Sequence, residues 1–254
     1  MFEAKNLSIS FGGLKAVDKI SFKIGKNEIY GLIGPNGAGK TTVFNLITGV
    51  YKPTFGSFYL DGEDLTGKSQ RYINKQGIAR TFQNIRLFND MSVIRNVLTG
   101  INNDEKYKCT VLESVLRLPR HFETERKMRE RAKELLSIFS LENERNSLAK
   151  NLSYGKQRKL EIARALATNP KLLLLDEPAA GMNPMETKEL MNTIKFIRDE
   201  FDMTILLIEH DLKFVSKLCD RVSVLNFGTT LVKGKAEDAL KDEKVIEAYI
   251  GTDK

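Results

Sequence analysis

The chain of 254 residues predicts an α/β fold with a mainly parallel core sheet interrupted by a helical insertion. Three observations carry that expectation. The apolar runs Ile29-Tyr-Gly-Leu-Ile33, Lys171-Leu-Leu-Leu-Leu175 and Met203–Ile208 have the unbroken character of strands buried on both faces, as in parallel sheets. Segments with helical spacing follow them, and strand–helix alternation places ligand loops at the strands' carboxyl ends. Between 84 and about 165 the alternation stops and helical patterns take over.

In chain order, residues 2–33 alternate polar and apolar, with turn signals at Gly12-Gly13 and Gly25-Lys-Asn27, and read as three short strands. Val43–Ile47 has helical spacing, in a helix closing near Gly49. Ser57–Leu60 followed by Asp61-Gly62 reads as a strand and hairpin turn. Ile78–Phe82 is expected to be a short strand ending at Gln83, Ser92–Leu98 a helix, and 102–122 polar and irregular. Glu123–Leu141 places Met128, Ala132, Leu135, Leu136 and Phe139 on one helical face. A helix after Lys171–Leu175 has a sharp start signal, with Asn183 as N-cap, Pro184 first and Glu186 third. Its inward stripe is Leu190, Met191, Ile194, Ile197 and Phe201. After Met203–Ile208 come a helix at Leu212–Cys219, a hairpin of Arg221–Asn226 with Thr229–Val232, and one closing helix at Ala236–Ile250.

Composition sets limits. Hydrophobic residues at 41% and charged residues at 29% describe a globular chain. No run approaches the roughly 18 apolar residues of a membrane span. Met1-Phe-Glu-Ala-Lys-Asn6 lacks a basic start with an apolar core, so no signal peptide is expected. Cys109 and Cys219 lack C-x-x-C or zinc spacing and read as reduced thiols. The net charge of +7 fits nucleic acid, an anionic membrane or a lysine-rich surface alike. No nucleic-acid signature accompanies it, and no nucleic-acid partner is expected.

The chemistry gathers at Gly34-Pro-Asn-Gly-Ala-Gly-Lys-Thr-Thr42, which follows a strand and opens a helix. Gly34, Gly39, Lys40 and Thr41 fit G-x-x-x-x-G-K-[ST], the pattern of a loop whose amides cradle phosphate at a helix N-terminus. Pro35, Asn36, Gly37, Ala38 and Thr42 complete the loop. Lys40 is expected on the β- and γ-phosphates and the Thr41 hydroxyl on Mg²⁺. Asp176, ending a buried strand in Leu172-Leu-Leu-Leu-Asp-Glu-Pro178, is a candidate Mg²⁺ ligand, and Glu177 a candidate base for a water in line with the γ-phosphate.

Leu152-Ser-Tyr-Gly-Lys-Gln157 stands at a helix start, where Ser153 is also a good N-cap. Here the sequence resembles the ATP-binding cassette (ABC) transporter ATPases, whose signature loop reads Leu-Ser-Gly-Gly-Gln. Tyr154 departs from its first glycine, and Lys156 occupies the glutamine slot with Gln157 one place on. The resemblance implies that Ser153 and Gly155 cap a γ-phosphate held by a second subunit. It implies further that Gln83 senses Mg²⁺, that His210 contacts the γ-phosphate and that Phe11 stacks on adenine. Asn183 stands where the family usually has Asp in its D-loop.

The resemblance spans essentially the whole chain, and it implies a P-loop ABC ATPase fold with an N-terminal antiparallel β subdomain. Residues 1–83 and 166–254 would form the nucleotide-binding core, and 84–165 the helical subdomain carrying the signature. ATP and Mg²⁺ are the implied ligands. The implied partners are a second ATPase subunit, separate membrane permeases and, indirectly, an external substrate-binding protein, at the cytoplasmic membrane face. Phe11-Gly-Gly-Leu14, Arg80–Phe88, Glu177–Pro184 and Ala248-Tyr-Ile-Gly251 look like the ATPase subunits of branched-chain amino-acid importers. Urea or amide importers, lipopolysaccharide exporters and a soluble non-transport ABC ATPase remain the alternatives.

Overall fold

A computed structural model describes residues 1–102 and 119–250. Most of the 102–122 stretch, Cys109 and Gly251 lie outside the described residues. The chain divides into two compact units. One comprises Met1–Arg80, Lys171–Pro178 and the described residues from Ile194 on; the other comprises the described residues of Thr81–Pro170 with Ala179–Thr193.

The first unit contains two sheets. An antiparallel sheet of β1 (Phe2–Phe11), β2 (Leu14–Ile24), β4 (Phe55–Leu60) and β5 (Glu63–Asp64) runs in the order β2-β1-β4-β5. The six-stranded sheet runs β10-β9-β3-β8-β7-β6, from β3 (Ile29–Ile33), β6 (Ile78–Arg80), β7 (Leu172–Asp176), β8 (Thr204–Glu209), β9 (Arg221–Asn226) and β10 (Thr229–Lys235). All its neighbours are parallel except the edge pair β9–β10. Every residue of β3, β7 and β8 is buried, which is why those runs carry no polar alternation.

Register sets the location of the chemistry. Ile33 pairs with Glu209 across β3–β8, and Asp176 pairs with Ile208 across β7–β8. The carboxyl ends of β3, β7 and β8 therefore finish level, and Gly34, Glu177 and His210 follow at one edge of the sheet. The helix α1 (Lys40–Ile47) leaves that edge. Its Val43, Phe44, Leu46 and Ile47 share one core with Phe2, Leu7, Phe22 and Phe58 of the antiparallel sheet and Leu32, Leu172 and Leu206 of the parallel one.

In the second unit α3 (Val93–Ile101) packs against α4 (Pro119–Ile138) and α5 (Tyr154–Leu166). The expected stripe of Met128, Ala132, Leu135, Leu136 and Phe139 is buried. The unit begins at Thr81 rather than 84, ends at Pro170 rather than 165, and takes in 179–193. Hydrogen bonds and an ion pair tie the 81–86 and 179–193 segments to α5. Glu161 of α5 accepts from the Phe82 and Arg86 amides, and Lys159 pairs with Glu189 at 2.6 Å.

Three elements depart from expectation. The strand expected over Ile78–Phe82 stops at Arg80, because the Phe82 amide and carbonyl bond to Glu161 and Arg158 instead of a neighbouring strand. A short α2 (Gln70–Lys75), capped by the Ser69 hydroxyl, was not foreseen. The single closing helix is two, α8 (Ala236–Ala239) and α9 (Glu243–Ile250), since the Asp242 carboxylate accepts from the Lys244 amide and starts a new helix. The start of α6 (Pro184–Glu200) follows the sequence signal: Asn183 Oδ1 accepts from the Met185 and Glu186 amides, and Glu186 Oε2 accepts from the Asn183 amide at 3.0 Å. The helix α7 (Leu212–Leu218) is capped by Asp211.

Candidate nucleotide site

The loop Gly34–Thr42 depends on glycine for steric reasons. A Cβ on Gly34 would lie 2.2 Å from the Leu225 carbonyl oxygen, and one on Gly39 would lie 2.7 Å from that of Ala16. Both residues adopt positive φ, 150° and 97°. The turn between β9 and β10 supports the loop from behind, its Gly228 amide donating to the Ala38 carbonyl at 3.1 Å. Gly39 is the N-cap of α1, so no side-chain oxygen occupies the helix's first amides, and its first turn contains no acid. That helix end is suited to an external anion.

Lys40 opens α1 with its side chain folded back across the loop. The ammonium donates to the Gly34 carbonyl at 2.7 Å and the Pro35 carbonyl at 2.9 Å. Burial draws its pKa below that of an ordinary lysine, while the charges of Glu177, Asp176 and Glu209 push it back upward. An ammonium has three donors, and two lie on loop carbonyls. Thr41 is exposed one residue further on.

The acidic side of the site lies at the ends of β7 and β8. The Asp176 side chain is 2% exposed and pairs with Arg80 at 2.7 Å. Glu177 adopts the left-handed conformation with φ 46°, a strain of about 1–2 kcal/mol for a side-chain-bearing residue, held by its amide on the Ile208 carbonyl at 2.9 Å. His210 is exposed; its Nδ1 lies 3.8 Å from both Glu177 Oε1 and Glu209 Oε2, too far for a hydrogen bond. The charges of Glu177, Asp176 and Glu209 all reach Lys40, and Asp176 is neutralised in addition by Arg80. Carboxylate and hydroxyl oxygens are the hard donors that Mg²⁺ takes, and Asp176 and Thr41 are the residues of this unit that the sequence motifs nominate for it. Phe11 ends β1 half exposed, with its ring edge-on to Tyr51 at 5.2 Å.

Gln83, Ser153 and Gly155 belong to the second unit. Arg158, wholly buried, pairs with Glu161 at 2.8 Å and donates to the Phe82 carbonyl at 2.5 Å and the Gln83 carbonyl at 2.6 Å. The Gln83 segment is thereby bolted to α5 while Gln83 itself is exposed. Ser153 is the N-cap of α5, with extended backbone, yet its hydroxyl makes no cap bond. Gly155 is buried, and a Cβ there would lie 2.8 Å from a Glu186 carboxylate oxygen. The departures from the family pattern all have local partners. Tyr154 packs on Gly181, Lys156 pairs with Glu144, and the Gln157 side-chain amide Nε2 donates to the Leu152 carbonyl at 3.0 Å.

The sequence motifs assign no role of their own to Arg80, Asn45, Arg158, Glu161 or Glu209. Arg158 and Glu161 had a signal, since two opposite charges at i, i+3 lie in a helix whose Leu160, Ile162 and Ala163 are all core. Arg80 had a weaker one, as a lone charge in a short buried strand.

A family model described as ABC transporter matches residues 17–180. The high-affinity branched-chain amino acid transport ATP-binding protein LivG of Salmonella typhimurium is 44% identical over 251 residues, 99% of this chain and 98% of its own length. The corresponding BraF of Pseudomonas aeruginosa is 42% identical over the same shares. Among solved structures, the ADP conformation of an ATP-binding cassette of an ABC transporter matches with a TM-score of 0.85 and 33% identity, covering 99% of this chain and 98% of that one. The chain belongs to the ABC transporter family as one of its nucleotide-binding ATPases.

Proposed function

We propose that the chain is the MgATP-hydrolysing subunit of an importer for branched-chain amino acids, working in pairs on the cytoplasmic face of a membrane beneath separate permease subunits. The observation that carries the substrate class is the near end-to-end identity with LivG and BraF, both branched-chain amino acid transport proteins by name. The pairing is supported by the start of α5, where an exposed Ser153 leaves its hydroxyl uncommitted to its own helix. Among the described residues no helix is long and apolar enough to cross a membrane, so a pore would come from other chains.

The loop amides and Lys40 would bind the phosphates, and Phe11 the adenine. Thr41 and Asp176 would hold Mg²⁺, which when bound would neutralise charge on the β- and γ-phosphates. Glu177 would take a proton from the attacking water at its carboxylate, and His210 would orient on the γ-phosphate. Ser153 and Gly155 would cap the γ-phosphate of a second ATPase, whether a copy or a similar chain. The left-handed backbone at Glu177 supports this role, because it turns the side chain that follows Asp176 out of the strand's alternation.

Glu177→Gln should keep ATP binding and lose about 10²–10⁴-fold in turnover. Unchanged turnover in a multi-turnover assay removes Glu177 as base. The same variant, tagged and isolated from native membranes with MgATP, should bring polytopic permeases whose reconstituted transport takes leucine, isoleucine or valine. Permeases that move urea, an amide or lipopolysaccharide would replace the substrate, and recovery of soluble factors alone would end the transport reading.

A further inference from the structure

Arg80 lies in the first unit at the end of β6, and its guanidinium makes contacts on two elements. One nitrogen pairs with Asp176 Oδ2 at 2.7 Å; the other donates to Asn45 Oδ1 at 2.6 Å. The guanidinium also lies over the Phe44 ring, 5.4 Å from its centroid. Both members of the ion pair are enclosed, with side-chain exposures of 7% and 2%. Asn45 follows Thr41 by one helical turn, so i and i+4 place Thr41 and Asn45 on one face of α1. The other end of the bridge is Asp176, the last residue of β7. Arg80 therefore spans the helix face that carries one hard-oxygen donor and the strand end that carries the other. A planar fork performs this task where a lysine would not, because its donors leave in two fixed directions.

We infer that Arg80 is a positioning residue for the metal site: it braces Asp176 against α1 and so sets the affinity for the divalent ion, without touching ion or nucleotide. The inference rests on the reading of Asp176 as a metal ligand. Supporting residues behind a ligand typically govern metal affinity by about 10–100-fold. Arg80→Lys keeps the charge and removes the fork. Asn45→Ala keeps the pair with Asp176 and removes the shorter of the two hydrogen bonds that hold Arg80 to the α1 end, leaving the 3.5 Å one to the Thr48 hydroxyl.

The test titrates Mn²⁺ into the full-length protein with bound ADP and counts bound ion by electron paramagnetic resonance, alongside ADP affinity in EDTA. Arg80→Lys should weaken Mn²⁺ binding about 10–100-fold, and Asn45→Ala by a smaller factor in the same direction, with metal-free ADP affinity within about twofold of the parent. Unchanged Mn²⁺ affinity in a folded Arg80→Lys, or an equal loss of ADP affinity in EDTA, overturns the inference. If Arg80→Lys does not fold, Asn45→Ala decides alone, and unchanged Mn²⁺ affinity there overturns it. Asp176→Asn, run in parallel, separates the two levels. Unaltered Mn²⁺ binding in that variant refutes the ligand reading itself, whereas a loss there with none in the brace variants refutes only the brace.

Discussion

The chain contains two loop-to-helix junctions with different construction, at α1 and at α5. The first is wrapped around itself. Gly39 caps α1 in a left-handed conformation, the lysine that follows folds onto the Gly34 and Pro35 carbonyls, and a backbone bond from Gly228 supports the loop. The second is presented outward. Ser153 adopts an extended backbone, its hydroxyl bonds to nothing on its own helix, and the rigidity comes from below, through Arg158 and Glu161 one to two turns on. A concave nest of amides suits phosphate bound within one chain. An outward helix end on a buried foundation suits a ligand brought by another molecule. The contrast yields separable expectations for the two junctions.

The largest effect should come from the foundation of the second. Arg158→Met leaves the Glu161 carboxylate buried without its guanidinium and releases the Phe82 and Gln83 carbonyls. Breaking a buried pair from one side costs about 3–5 kcal/mol, and the urea midpoint should fall accordingly. Replacing both partners, as Arg158→Met with Glu161→Met, should recover part of that loss. A single-variant cost below about 1 kcal/mol would show that water reaches the pair, and the contrast would lose its basis.

These two junctions also show what a sequence reveals and what it hides. Gly34, Gly39, Lys40 and Thr41 were legible because phosphate binding demands fixed residue types at fixed spacing inside one segment. The strands β7 and β8 were legible because burial on both faces leaves uninterrupted apolar runs. The cap at Asn183 was legible because its partner Glu186 is three residues away. Arg80 was not, since its partners Asn45 and Asp176 lie 35 and 96 positions distant in sequence. The end of β6 at Arg80 is hidden for the same reason, as the competing bonds come from α5. Helix α2 buries only Ile73 and so offers no periodic stripe. The break between α8 and α9 was written in Asp242, a capping residue inside a pattern that otherwise reads as continuous.

An intermediate effect is expected at the face of the second junction. Ser153→Arg places a long cation where a γ-phosphate from a second subunit would be capped. Turnover should fall about 10²–10³-fold, the range for removing a positioned donor from developing charge. Nucleotide affinity of a single chain, measured by titration calorimetry at a concentration where it is monomeric, should stay within about twofold. Equal losses in both would mean that the start of α5 serves its own chain's nucleotide, and the two junctions would then be parts of one pocket.

The smallest effect tests how far the foundation extends. Asn183→Ala removes the side-chain cap of α6 and should cost about 1 kcal/mol, read as a lower urea midpoint. Asn183→Asp retains an acceptor for the Met185 and Glu186 amides and adds a negative charge at a helix start, so it should match or exceed the parent. The cap reaches the second junction through Glu186, whose backbone amide donates to Asn183 Oδ1 and whose carboxylate lies 2.8 Å from where a Cβ on Gly155 would be. Loosening Glu186 should therefore lower turnover in Asn183→Ala by a few-fold, less than Ser153→Arg, and leave single-chain nucleotide affinity unchanged. A loss of stability with no change in turnover would confine the cap to α6. A fall in nucleotide affinity would mean that strain at α6 is felt by the glycine loop, which the separate construction of the two junctions does not allow.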